Sequence, residues 1–291
     1  MSGNRVLDAA DRVLVGTDGG LIELDAAGAA TPLTPATGEA RYLPGTTDVV
    51  HQDGDGITVL SRGSGRGWSR GSAKAKSRPL LRADHAVQLL GVLPGRVVYR
   101  ANPRHRLLWD VVIRNVFVGE EQAVYDRGGD VRAAAVSPNS RYIAIRLPRK
   151  LILVDTMPLT EDDHVRLIGP EPADGGHRHL SWLPDSVRLV ATADGAVSRY
   201  DVERGSWEPL VSGLGPNAVG VIAPDGRRLA IVDGGRVAFH HAGTGDFLRA
   251  AEIDAHGSPV WTPDSATVAV ATADGVATVV AQSAFVKAVA L

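Results

Sequence analysis

Trp182-Leu183-Pro184-Asp185-Ser186 is one of three closely similar phrases in the chain. The others are Ile222-Ala223-Pro224-Asp225-Gly226 and Trp261-Thr262-Pro263-Asp264-Ser265. Each joins an apolar strand end, through a Pro-Asp-Gly/Ser turn, to a second apolar strand. Val136-Ser137-Pro138-Asn139-Ser140 is a fourth copy, and Leu43-Pro44-Gly45 and Leu93-Pro94-Gly95 are truncated ones. Leu7-Asp8-Ala9 is a worn first copy without the proline. Anchored on the proline, the copies sit at Asp8, Pro44, Pro94, Pro138, Pro184, Pro224 and Pro263, between 36 and 50 residues apart. Repeats of ~40–50 residues made of short apolar runs belong to propellers, in which each repeat is a four-stranded blade.

The register supports the spacing. Five residues after each anchor stand Val13, Val49, Tyr99, Ile143, Leu189, Leu229 and Val268; two before stand Val6, Tyr42, Val92, Val136, Trp182, Ile222 and Trp261. Both columns are wholly apolar in a chain that is 44% hydrophobic. Asp18-Gly19, Asp194-Gly195, Asp233-Gly234 and Asp274-Gly275 fall between the second and third strands, where a two-residue hairpin needs positive φ. Leu24-Asp25, Trp109-Asp110, Val154-Asp155 and Tyr200-Asp201 end the third strands, with the Asp placed to bond its own turn backbone. The expected fold is an all-β, single, closed, seven-bladed propeller of four-stranded antiparallel blades, forming one domain over residues 1–291. Whether the ring closes by side-chain packing or by an exchanged strand stays open at this level.

The Pro-Asp-Gly/Ser turns resemble the TolB-type, WD40-like propeller repeat also found in relatives of prolyl oligopeptidase. The resemblance covers essentially the whole chain and implies a fold rather than an activity. No Gly-x-Ser-x-Gly nucleophile elbow or hydrolase-sized segment follows the last repeat, so nothing corresponds to the peptidase half of that family.

At 291 residues with a formal net charge of −2, the chain is not a globally basic nucleic-acid binder. Zero cysteines exclude disulfides and thiolate metal sites. No apolar run is long enough for a transmembrane helix, and no charged-then-apolar leader opens the sequence, so a cytoplasmic location is expected. Richness in Ala, Gly, Val and Arg suggests a high-GC bacterial genome.

In a propeller, ligands sit where the inner strands begin and several loops converge. Seven and five residues before the anchors, the polar residues are Thr37, Glu39, His177, His179, Asn217, His256 and Ser258; the third and fourth repeats are apolar there. His177 and His179 share one strand face, and with His256 and Glu39 they have the chemistry of a metal site or a general base. Such histidines also satisfy loop backbone groups, and neither a bound metal nor a cofactor is expected. His51 falls in an apolar column and reads as a hydrogen-bonded core histidine; His240-His241 reads as turn chemistry.

Residues 62–82 break the economy of the repeat. Arg62, Arg66, Arg70, Lys74, Lys76, Arg78 and Arg82 surround Trp68 among Gly and Ser without one acidic residue. That composition predicts a flexible basic insertion, either a solvated loop or a grip for an acidic or phosphate-bearing partner. The leading functional expectation is a non-catalytic scaffold that binds a protein or other macromolecule through the upper face or the basic segment. The alternative is a small propeller enzyme of lyase or hydrolase type using His177, His179, His256 and Glu39. A small-molecule module presenting Trp182 or Trp261 near the axis is a third, although inter-blade packing accounts for both tryptophans.

Overall fold

A computed structural model describes residues 4–61, 76–148, 150–157, 164–168 and 179–291. Among these, every regular element is a β-strand. The first sheet is β1 (Arg5–Ala9), β2 (Val13–Thr17), β3 (Gly20–Leu24) and β4 (Ala30–Thr34). The second is β5 (Ala40–Tyr42), β6 (Val49–Asp53), β7 (Gly56–Ser61) and β8 (Lys76–Arg82). Next come β9 (Val87–Leu93), β10 (Arg96–His105), β11 (Leu108–Asn115) and β12 (Glu121–Tyr125). The fourth holds β13 (Ala133–Val136), β14 (Tyr142–Arg146), β15 (Leu151–Asp155) and β16 (Val165–Ile168). The fifth holds β17 (His179–Trp182), β18 (Arg188–Ala193), β19 (Ala196–Asp201) and β20 (Ser206–Val211). The remaining strands are β21 (Val219–Ile222), β22 (Arg228–Asp233), β23 (Gly235–His241), β24 (Phe247–Trp261), β25 (Thr267–Thr272), β26 (Gly275–Val280) and β27 (Val286–Ala290).

The all-β propeller expectation holds, but the closed seven-bladed count does not. Five sheets have four strands each, whereas β21–β27 form one seven-stranded sheet, and no sheet closes on itself. The cause is β24, which is 15 residues long. Its first part pairs with β23 from Phe247 to Ala255, and its last part pairs with β25 from His256 to Trp261. Asp254 (φ 51°) and Gly257 (φ 73°) turn the strand between partners without a loop. Elsewhere the outer strand and the next inner strand are separate elements, as between Val211 and Val219. The first sheet meets the last through Val6, Val13, Val15 and Leu24, which pack on Ala269 and Val276.

Two of the serines in the repeated turns bond the turn of the preceding repeat. Ser140, Ser186 and Ser265 sit at φ near 60°, where glycine is the usual choice and Gly226 takes the equivalent place. The Ser186 hydroxyl accepts from the Asn139 amide at 3.0 Å, and that of Ser265 accepts from Asp225 at 2.9 Å. Each tryptophan two residues before an anchor likewise donates to the preceding repeat: Trp182 Nε1 to the Ala135 carbonyl, Trp261 Nε1 to that of Val221, both 3.0 Å. These side chains join successive repeats along the chain.

The turn readings hold in part. Of the four Asp-Gly pairs, only Asp194-Gly195 has positive φ at both residues, 49° and 68°; at the other three the positive φ falls on Gly20, on Gly234 and Gly235, and on Gly275. Asp25 Oδ1 accepts from the amides of Ala27 and Ala29, and Asp201 Oδ1 from those of Glu203 and Arg204. His51 is buried and bonded to the Gln52 carbonyl, and His240 to that of Gly245. Trp109-Asp110 is a correction. It begins β11 rather than ending a third strand, because the β10–β11 hairpin is extended to His105 and Leu108. Asp110 pairs with Arg104, while Asn115 caps the actual turn by accepting from Phe117 and Val118. The basic insertion is also shorter than expected: residues 76–82 are β8, paired with β7, and Leu80 of that strand is buried. Arg62, Arg66, Trp68, Arg70 and Lys74 lie outside the described residues.

Gly245 lies where the β23–β24 turn comes close against β20. It has φ 78°, and an added Cβ would stand 1.9 Å from the Leu210 carbonyl oxygen in β20. Gly245→Ala is therefore expected to destabilise the protein by more than about 2 kcal/mol, combining left-handed strain with a backbone clash. Chemical denaturation reads this; a loss below about 0.5 kcal/mol would mean that the two sheets separate freely at this point.

Candidate functional site

The inner strands β1, β5, β17 and β21, with the last part of β24, border a cavity of about 550 Å³. It falls within the ~300–1,000 Å³ typical of small-molecule sites. Glu39, His179, His256 and Ser258 all line it, so four of the anticipated residues converge across three sheets. Thr37 and Asn217 are exposed and contribute no side chain to the lining. His177 lies outside the described residues.

Ser258 Oγ stands 3.3 Å from His179 Nδ1. Burial, with smaller contributions from the guanidiniums of Arg41 and Arg146, pushes the His179 pKa down to about 4. The imidazole is therefore neutral at physiological pH, a hydrogen-bonding group rather than a cation. Glu39 is held between two arginines: Oε1 is 3.3 Å from Arg5 Nη1, and Oε2 is 3.2 Å from Arg41 Nη1. Arg5 also reaches the Thr37 carbonyl, and Arg41 its neighbouring Ala40 carbonyl. Among the described residues, no three His, Cys, Asp or Glu side chains are placed to hold a metal ion.

Away from this polar cluster the wall is apolar. Trp182, Val221, Pro224 and Val260 line it. The indole N–H groups of Trp182 and Trp261 are already committed to backbone carbonyls, so both rings offer apolar surface.

Arg5 and Arg41 were missed by counting only seven and five residues before each anchor. Strand alternation carries the inward face on to three before, and there stand Arg5, Arg41 and Ser181. The signal was one step further along the same strand. Arg146 is different: it ends the second strand of its sheet, and only the packed ring brings its charge to His179.

No family model matches the chain, and no curated protein matches it by sequence. Solved structures do: 1128 chains resemble it. One, from a crystal structure of the mitotic checkpoint complex, superimposes with a TM-score of 0.60 at 13% identity, covering 80% of this chain and 72% of that one. At that identity the likeness gives the fold alone, a β-propeller. It does not single out the TolB-type repeat. Among the described residues, no helix is long and apolar enough to cross a membrane.

Proposed function

We propose that this chain is a non-catalytic scaffold that binds a protein partner at the rim where its inner strands begin. The observation that supports this most is the exposed polar set at that rim. Thr37, Asn217 and His256 are all exposed near the starts of inner strands; His256 lines the cavity, and the Thr37 carbonyl accepts from Arg5 of its wall. A rigid ring presenting side chains from several loops suits a broad partner surface. The similar fold within a multiprotein complex points the same way. The basic segment, with Lys76 and Arg78 exposed on β8, is a second contact suited to an acidic partner.

A photo-crosslinking residue at Thr37, Asn217 or His256 should trap one common protein, and the same residue at exposed Glu252 on β24 should not. With that partner purified, Asn217→Ala plus His256→Ala should weaken binding by about 2 kcal/mol, as removal of a contact hot spot does. Changing Arg66, Arg70, Lys74 and Lys76 to Ser should flatten the salt dependence if the basic segment takes part. Unchanged affinity in both variants would remove the proposal.

The Ser258–His179 contact keeps the hydrolase alternative in view, because a neutral imidazole beside a hydroxyl is a general-base arrangement. Hydrolysis of activated esters that disappears in Ser258→Ala would favour that reading.

A further inference from the structure

We infer that the cavity is a binding site for a small organic monocarboxylate with an apolar body, the carboxylate against Arg5 and Arg41 and the body along Trp182, Val221 and Val260. This does not depend on the scaffold reading, since the cavity lies below the rim.

The charge balance of the wall is the first support. Of the ionised side chains lining the cavity, Arg5 and Arg41 are cationic and Glu39 is anionic, which leaves one positive charge. Glu39 already shows how a carboxylate sits there, one oxygen towards each guanidinium at 3.3 and 3.2 Å. The side chains of Arg5 and Arg41 keep 53% and 31% exposure, so both have surface to offer beyond Glu39. Asp8, beside Arg41, does not compete for the cavity: its oxygens accept from the backbone amides of Ala9 and Tyr42 at 2.8 Å.

A second support comes from the opposite side. The charges acting on His179 are those of Arg41 and Arg146, and both oppose its protonation. Two guanidiniums therefore act on that wall. A neutral His179 and the Ser258 hydroxyl supply further hydrogen-bonding groups without adding charge. Guanidinium pairs match planar carboxylates through parallel N–H donors, and one surplus charge suits a monoanion better than a phosphate dianion. The apolar wall accounts for the rest of the ligand.

The test is calorimetric titration of the full chain with 4-phenylbutyrate and with its neutral amide, near neutral pH. The acid should bind, and the amide should bind at least about ten-fold more weakly, the loss of one charge-assisted pair. Arg41→Met should weaken the acid by a similar factor, whereas Glu39→Gln, which removes the resident anion, should strengthen it. Thermal melting checks that each variant is folded, and Arg5→Met replaces Arg41→Met if the latter is not. The acid–amide comparison uses wild-type protein and needs no variant. Equal binding of acid and amide, no binding of the acid, or a folded arginine variant with unchanged affinity would each overturn the assignment.

Discussion

Replacing Phe239 with alanine is expected to lower the free energy of unfolding by about 3–5 kcal/mol, among the largest losses available to a single substitution in this chain. Phe239 is fully buried on β23. It packs with Val237, Ala251, Val268 and Val279, which come from both halves of the seven-stranded sheet. Its ring meets Trp261 edge-on, with centroids 5.8 Å apart, and Trp261 in turn bonds the Val221 carbonyl. Deleting the ring leaves a cavity that the surrounding strands cannot collapse to fill, because each is fixed in register on both sides. Phe239→Leu should lose much less, below about 2 kcal/mol, since most of the volume is kept. Urea unfolding of the three proteins reads the difference. A loss below about 1 kcal/mol for Phe239→Ala would show that this core is loosely packed.

Acidification should destabilise the protein through His179 in a definite pH window. In the folded chain its pKa is pushed from 6.5 down to about 4, first by burial and then by Arg41 and Arg146. An unfolded chain takes up the proton near pH 6.5, whereas the folded chain refuses it until about pH 4. Stability is therefore full above the higher value, falls as the pH drops between the two, and levels off below the lower one. The whole effect is about 3–4 kcal/mol at most, at ~1.4 kcal/mol per unit, and less to the extent that solvent reaches the ring. His51 is shifted downward by burial and adds a loss of the same sign. The contribution of His179 is thus the difference between wild type and His179→Gln. Asp264, held below the ordinary carboxylate range by Thr262, loses its contribution only at lower pH. Urea unfolding at about pH 7.5 and 4.5 should show a shallower decline in His179→Gln than in wild type. Parallel declines would mean that His179 titrates as an exposed histidine does.

The sheet architecture was legible because each of its devices is local. A Pro-Asp-Ser turn, an Asp-Gly hairpin and alternating apolar columns act within a few residues of themselves, and their recurrence names the repeat. His51 and the Asp25 and Asp201 turns could be read in the same way, from a place in a column or at a strand end. Trp109-Asp110 misled because the same two residues fit either end of a strand. Only the pairing of β10 with β11 shows that the hairpin is longer than its neighbours.

The candidate site divides along the same line. Alternation along one strand pointed to Glu39, His179, His256 and Ser258, and two residues further it would have pointed to Arg5 and Arg41. By itself the sequence determined the recurring strand–turn–strand unit, part of its turn chemistry and the inward-facing residues of the repeats that line the cavity, since all three depend on neighbours a few positions apart. Only the tertiary structure decided that β24 runs unbroken between two sets of strands, that Ser258 meets His179 across 79 residues, and that Arg146 depresses its pKa. Those outcomes depend on distances between residues far apart in the chain, set by how sheets stack about a common centre, and no local pattern encodes them.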